Sequence, residues 1–249
     1  MTTVRATEAE RAIEAVRANW TRRAAGYNDF YSRYGEDNRA AWREVCAKAL
    51  AERFGDRTLD VLDVGAGTGF FATLLAELGH RVTAVDPTAA MLAHARREAE
   101  RRGVAVRFVE CGGHDVARLG AEFDLVTARY VLWTLPDPVG ALAAWRGVLR
   151  PGGALLLADG VWHTWRMDAR RAWESLKPGG DKGFLWRLAR DYAWIGRATP
   201  NWQGLTAEKA ARLLRAGGFA PGERYDPLLP ARAHPVSAEF FLRTADIAG

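Results

Sequence analysis

Between Leu59 and Asp86 an apolar run (59–64) breaks into three glycines, Gly65, Gly67 and Gly69, an amphipathic helix pattern follows, and a second apolar run (82–85) ends in Asp86. No other stretch constrains the fold as tightly, because strand, helix and strand in that order make a βαβ unit whose strands lie parallel in one sheet. The glycines serve a sharp turn at the strand's end, bare backbone where a ligand comes close, and close contact between helix and strand. The helix start offers unpaired N–H groups and a positive dipole end, which suit an anionic or carboxylate group. Asp86 follows the first glycine by 86 − 65 = 21 residues, about the spacing at which a carboxylate meets ribose hydroxyls. The stretch therefore asks for a nucleoside.

Spacing narrows the choice. The dinucleotide fingerprint is G-x-G-x-x-G, whereas these glycines read G-x-G-x-G and are preceded by a carboxylate, Asp63. A pyrophosphate crossing this loop gains nothing from Asp63; the ammonium of an amino acid attached to a nucleoside does. Val61-Leu62-Asp63-Val64-Gly65-Ala66-Gly67-Thr68-Gly69 resembles the first motif of class I S-adenosylmethionine-dependent methyltransferases, within them the ubiquinone and menaquinone biosynthetic type. The resemblance implies S-adenosylmethionine as cofactor, S-adenosylhomocysteine as product, and an α/β fold: a Rossmann-like, seven-stranded, mostly parallel sheet with helices on both faces. Residues 56–159 and 206–249 are expected to form that domain, with 1–55 as helices covering the cofactor site and 160–205 as a Trp-rich helical cap after strand five.

The 249 residues suit one such domain with an added cap. No apolar run reaches the length of a membrane span, and the first 14 residues mix acids with Arg and Ala and lack the apolar segment of a secretion signal. Cys46 and Cys111 are the only cysteines, too few for a disulfide framework, so a cytoplasmic protein is expected. A formal charge of +5 invites a nucleic-acid reading, but the basic residues are nearly all arginines spread among Glu and Asp, as on a solvated surface.

Thr7 and Glu10 have capping-box spacing and open a helix expected over 9–25, ending at Gly26. Trp20, Ala24, Tyr27 and Asn28 sit at the spacing of a Phe-x-x-x-Ala-x-x-Tyr-Asp segment of the quinone-type enzymes, which folds over the cofactor; by that resemblance Tyr27 contacts the cofactor, and Tyr31 and Tyr34 are candidates to touch the acceptor. A second helix is expected over 37–54, stopped by Gly55. Thr88 is a candidate N-cap for a helix over 89–102, with Gly103 beyond its end, and the resemblance places Pro87 and Met91 at the adenine pocket. After a strand over 104–109, Gly112 stands where relatives carry an adenine-binding Asp; Gly113 keeps a backbone contact, while Asp115, a backbone carbonyl or water are the alternatives for the amino group.

A strand over 123–128 delivers Arg129, Tyr130 and Trp133 to the carboxyl edge of the sheet, where ligands of open α/β sheets gather. Arg129 is assigned to the cofactor, Tyr130, Trp133, Tyr34 and Trp162 to the acceptor. A helix over 139–149 and a strand over 154–158 follow, and the strand leads to Asp159 and His163. Six of the ten tryptophans fall in the 160–205 insertion; most are expected to form the cap's own small core. A helix over 207–216 and strands over 219–226 and 237–244 close the chain.

Methyl transfer from a sulfonium needs the nucleophile, carbon and sulfur in line, and a hydroxyl nucleophile also needs a base. Asp159, His163 and Tyr31 are the candidates for that base, and no metal set of His and carboxylates stands out. The expected activity is methylation of an O, N or S atom of a small, partly apolar or aromatic metabolite. An RNA methyltransferase, a nicotinamide oxidoreductase and a non-catalytic binding protein of the same fold are the alternatives.

Overall fold

The computed structural model describes residues 7–32, 35–180, 183, 185–186, 189, 198–233 and 239–248. Seven strands form one sheet: β1 (Asp60–Val64), β2 (Arg81–Asp86), β3 (Val106–Glu110), β4 (Phe123–Arg129), β5 (Leu149–Gly160), β6 (Phe219–Arg224) and β7 (Phe240–Ile247). Their order is β3-β2-β1-β4-β5-β7-β6; the first five run parallel, and β7 is antiparallel to both β5 and β6. Parallel strands covered on both faces should read as continuous apolar runs, and Val61, Leu62, Leu155, Leu156 and Leu157 are accordingly buried completely.

The helices are α1 (Glu8–Ser32), α2 (Gly35–Phe54), α3 (Phe70–Glu77), α4 (Ala89–Arg102), α5 (Pro138–Gly147), α6 (Trp165–Leu176) and α7 (Ala207–Ala216). Crossovers run outward from β1 through α3 and α4, and the other way from β4 through α5; with the right hand that parallel crossovers take, the two sets of helices cover opposite faces, and α3 packs on α4, α5 on α7. The direction reverses between β1 and β4. Val64 and Arg129 end these two strands at the carboxyl edge, where a crevice opens.

Several boundaries follow their local chemistry. Thr7 and Glu10 form the reciprocal capping box, Thr7 N donating to Glu10 at 2.7 Å and Glu10 N to Thr7 Oγ1 at 3.2 Å. The helix does not stop at Gly26, as expected, but runs on to Ser32; a lone glycine costs only about 1 kcal/mol relative to alanine in a helix. α2 starts at Gly35, two residues early, with Glu36 and Asp37 in its first turn, where acids oppose the helix dipole favourably. α4 and α7 have the expected bounds. Gly103 terminates α4 at φ +66°, and Thr206 Oγ1 accepts from Lys209 N to cap α7. Thr88 occupies the N-cap position of α4 without a side-chain capping bond; Asp86 Oδ1 accepts from Thr88 N at 2.9 Å instead.

β7 lies inside the sheet and β6 forms its edge. The two strands pair antiparallel, and residues 225–239 connect them, so the connection is longer than a tight hairpin. Among the described insertion residues, Trp162 is buried and Trp202 half-buried, but Trp165, Trp173 and Trp186 are 75, 66 and 68% exposed. The expectation that most of these tryptophans form a core is therefore corrected for those three; Trp194 lies outside the described residues. No helix among the described residues is long and apolar enough to cross a membrane.

Candidate functional site

The glycine loop leaves β1 with Gly65, Gly67 and Gly69 all at positive φ, +63°, +55° and +89°. A Cβ on Gly65 would lie 2.4 Å from Val131 Cγ2, and one on Gly69 would lie 3.0 Å from Ala95 Cβ. The third glycine thus permits close packing of the start of α3 on α4, rather than on a strand. Asp86 at the end of β2 ties the loop down: its Oδ2 accepts from Gly67 N at 2.9 Å while Oδ1 takes Thr88 N. Each oxygen keeps a second lone pair for a ligand hydroxyl. Burial raises the Asp86 carboxyl above its ordinary pKa, and the bonds from Gly67 and Thr88 oppose that.

Asp63 sits one position before the end of β1, 2% exposed. The β1–β4 register sets Thr127 beside it, and Thr127 Oγ1 donates to Asp63 Oδ1 at 2.8 Å. The other oxygen, Oδ2, is buried without a hydrogen-bond partner. Burial pushes this carboxyl up to about 7, against the pull of the Thr127 bond and the Arg129 charge. Arg129 is held over aromatic faces, its guanidinium 4.2 Å from the Phe70 ring centre and 4.7 Å from that of Tyr130, with Trp42 and Phe71 beyond. Asp63, Gly65, Ala66, Gly67, Phe70 and Arg129 line one depression at the start of α3. An orphan acceptor and a caged cation therefore flank a helix N-terminus, an arrangement that suits an amino acid's ammonium and carboxylate.

Beyond this depression a cleft of about 640 Å³, part of it open to solvent, is lined by Gly65, Gly67, Asp86, Pro87, Met91, Gly113, Arg129 and Tyr130 among the sequence-selected residues. Val16 and Trp20 of α1 close one side, Thr88, Val131, Thr134 and Leu135 another. Gly112 is not part of this lining, and a Cβ there would lie 3.2 Å from Asp115 Oδ2. α1 is pinned above the cleft by Arg17 Nη2 donating to Glu110 Oε1 at 3.2 Å and by Trp20 meeting Trp133 edge-on at 6.3 Å.

Tyr130 is the one described non-glycine residue at positive φ, +62°, a conformation that costs a bulky side chain energy and clusters at functional positions. Its ring faces Trp162 edge-on at 4.6 Å, and Trp133 Nε1 donates to its carbonyl at 3.0 Å. Trp133 and Trp162 stand behind the cleft wall rather than in its lining. Asp159 is completely buried, also outside the lining: Oδ1 accepts from Gly160 N at 2.8 Å and Trp162 Nε1 at 3.3 Å, Oδ2 from Trp133 N at 3.3 Å. It knits the end of β5 to the aromatic wall, and burial raises its pKa to about 7. A base must reach the acceptor's proton, and this geometry leaves Asp159 a holding role instead.

His163 Nδ1 lies 3.1 Å from Asp168 Oδ1 at the start of α6. The backbone of Tyr27 and Tyr31 belongs to α1; their side chains, and all of Tyr34, lie outside the described residues. Sequence reasoning missed Thr127, Val131, Thr134 and Asp168. Thr127 is a polar residue in an otherwise apolar strand, a readable signal once β1 and β4 are known to pair.

Residues 62–157 match the family described as "Methyltransferase domain". The chain is similar to the tRNA 5-carboxymethoxyuridine methyltransferase of Escherichia coli (strain K12), 40% identical over 47% of this chain and 45% of that protein. It is also similar to the ubiquinone biosynthesis O-methyltransferase of Methylobacterium sp. (strain 4-46), 30% identical over 68% of this chain and 65% of that one. The chain thus spans about half to two thirds of the length of these relatives. In fold it resembles the Burkholderia thailandensis 1,6-didemethyltoxoflavin-N1-methyltransferase, 22% identical at a TM-score of 0.62, with 100% of this chain and 94% of that one covered. The magnesium protoporphyrin IX methyltransferase of Synechocystis PCC 6803 gives 18% and 0.60, with 94% and 98% covered.

Proposed function

The chain carries a methyltransferase domain of the class I, S-adenosylmethionine-dependent kind, and on that premise we propose that the whole protein methylates an oxygen, nitrogen or sulfur atom of a small, partly apolar or aromatic metabolite, in natural-product metabolism in the cytoplasm. The observation that carries the proposal is the orphan oxygen of Asp63 beside the caged Arg129 guanidinium, a pair that matches the ammonium and carboxylate of a methionine tail, whereas the Asp63 carboxylate repels a pyrophosphate. S-adenosylmethionine supplies, when bound, a methyl group on a sulfonium already activated for in-line displacement.

The chain's own residues then divide the work. Asp63 and Arg129 hold the tail, Asp86 the ribose, and Pro87, Met91 and the backbone at Gly113 the base, with Gly65, Ala66, Gly67 and Gly69 leaving room for the ligand. Gly112 and Tyr27 remain cofactor residues by resemblance. Tyr130, backed by Trp133 and Trp162, faces the acceptor, and Tyr31 and Tyr34 remain acceptor candidates by resemblance. Residues 1–55 cover the cofactor, a reading supported by Val16 and Trp20 in the cleft wall, and 160–205 cap the acceptor. Alignment of the reacting groups is worth about 7–11 kcal/mol when the geometry is good.

Identity to a tRNA methyltransferase and a sequence pI near 9.5 favour an RNA acceptor as the second reading. Incubating the small-molecule and RNA fractions of a lysate of the producing organism with labelled donor, then locating the label by mass spectrometry, separates the two. Label in a small aromatic or apolar compound is expected; label confined to RNA contradicts the first reading.

A further inference from the structure

α6 is built inside out. Its fully buried residues are polar, Asp168 at 7% and Ser175 at 4% exposure, whereas Trp165, Trp173 and Leu176 are 75, 66 and 59% exposed. The polar side is the one that meets the rest of the chain: Asp168 Oδ1 lies 3.1 Å from His163 Nδ1, and Arg171 Nη1 donates to Trp162 O at 3.0 Å. The apolar side faces outward, the reverse of the usual arrangement for a surface helix. Five of the seven large hydrophobic side chains that stand exposed among the described residues fall between 165 and 186. Apolar surface gathered in this way, rather than scattered singly, marks an interaction site.

The order of residues on that outer side says what covers it. Trp165, Ala169, Ala172 and Leu176 follow one another at steps of four, three and four, the spacing of a coiled-coil seam. Steps and sizes read alike in both directions: large, small, small, large. We propose that a second copy of this chain docks on this face, its α6 antiparallel to the first about a twofold axis between Arg170 and Arg171. Trp165 of each copy then packs on Leu176 of the other, and Ala169 on Ala172, where two small side chains let the helix axes approach to about 8 Å. A parallel pair would set Trp165 on Trp165 and Leu176 on Leu176, splaying the axes at one end. The charges nearest the twofold axis are already compensated within their own helix, since Arg170 Nε pairs with Glu174 at 2.9 Å and Arg171 is held by Trp162 O and Asp168. Arg166, which stacks on its own Trp165 at 5.3 Å, flanks the seam on the side of the other copy's Trp173, where a guanidinium again meets an aromatic face. A lipid surface needs no such register, whereas a facing helix does. Two tryptophans at about 150–250 Å² each, mostly exposed, with Leu176 and the alanines, present on the order of 400 Å² per copy. Two such faces bury about 800–1,000 Å² together, the size of a weak, reversible interface. The proposal goes beyond the methyltransferase reading and stands independently of it.

Sedimentation equilibrium of the full chain from about 1 to about 200 µM should show the mass climbing from one chain toward two, with a dissociation constant of about 10–100 µM. Trp165→Lys and Leu176→Glu should each weaken association about tenfold or more, and Ala169→Arg, which sets two guanidinium groups across the closest approach, should do the same. All three positions are solvent-facing in the single chain, so Tm at about 1 µM should stay within about 2 °C of wild type, which separates lost pairing from lost folding. A mixture of Trp165→Lys with Leu176→Glu should associate at least about fivefold more tightly than either variant alone. In the antiparallel pair the introduced ammonium and carboxylate face each other at one end while Trp165 and Leu176 still meet at the other; parallel pairing gives no such recovery. The proposal is overturned if wild-type protein keeps the mass of one chain throughout, if a dimer forms that none of the variants weakens, or if the mixture is no tighter than its components. Recruitment of a protein that stays monomeric to phosphatidylglycerol vesicles would also overturn it, by showing that lipid rather than a second copy covers α6.

Discussion

Replacing Asp63 with Asn isolates the cost of the buried carboxylate on which the tail site depends. Its pKa rises from 3.8 to about 7 in the folded protein. The folded state therefore binds more protons than the unfolded chain between these values, and stability falls as pH rises from about 4 to about 7. Three units correspond to about 4 kcal/mol. Asp63→Asn escapes that cost and keeps an oxygen for the Thr127 hydroxyl, but puts an amide where Oδ2 has no partner, at about 1–3 kcal/mol. The net expectation is a variant more stable than wild type by about 1–3 kcal/mol at pH 8, or roughly 2–12 °C in Tm for a chain of this size. At pH 4, where the wild-type carboxyl is already largely protonated in the fold, the order should reverse. Urea unfolding of both proteins from pH 4 to pH 9 gives the difference curve, in which the raised Asp159 cancels. A flat difference curve, or a variant less stable at pH 8, refutes the assignment of a desolvated, only partly compensated charge to Asp63.

Gly65→Ala should destabilise by about 2–5 kcal/mol, since it combines a left-handed backbone with overpacking against Val131, and adding Val131→Ala should recover only the steric part; thermal unfolding of the single and double variants checks both. Asp159→Ala strips the acceptor from three donors in the aromatic wall and should cost about 3–5 kcal/mol by urea unfolding, against a much smaller loss if Asp159 were a base facing solvent. A ligand ammonium meeting Asp63 lowers its pKa, so S-adenosylhomocysteine binding at pH 6 should release up to about one proton and at pH 8.5 almost none, measured by calorimetry in buffers of different ionisation heat.

What the sequence disclosed is what local rules determine. The 59–86 stretch gave strand, turn, helix and acid because each step has a short-range signature, and α4 and α7 took their expected bounds because Gly103 and Thr206 mark them chemically. The partner of Asp63 was out of reach: Thr127 lies 64 positions away and meets it only through the β1–β4 register. Asp159 stands at the active edge as its position implied, but which way a strand-end carboxylate turns depends on the tryptophans around it. The tryptophans of the insertion misled for a related reason. Their number suggested a core, yet on α6 Trp165 and Trp173 fall on the outward face, while Asp168 and Ser175 are the buried residues.

Titration calorimetry with S-adenosylhomocysteine and, separately, NAD tests the central claim most directly. The geometry of Asp63, Arg129 and Asp86 predicts one-to-one binding of the nucleoside amino acid, weakened about a hundredfold in Asp86→Ala, and no heat from NAD. Binding of NAD in preference, or affinity for S-adenosylhomocysteine that Asp86→Ala leaves untouched, would contradict it.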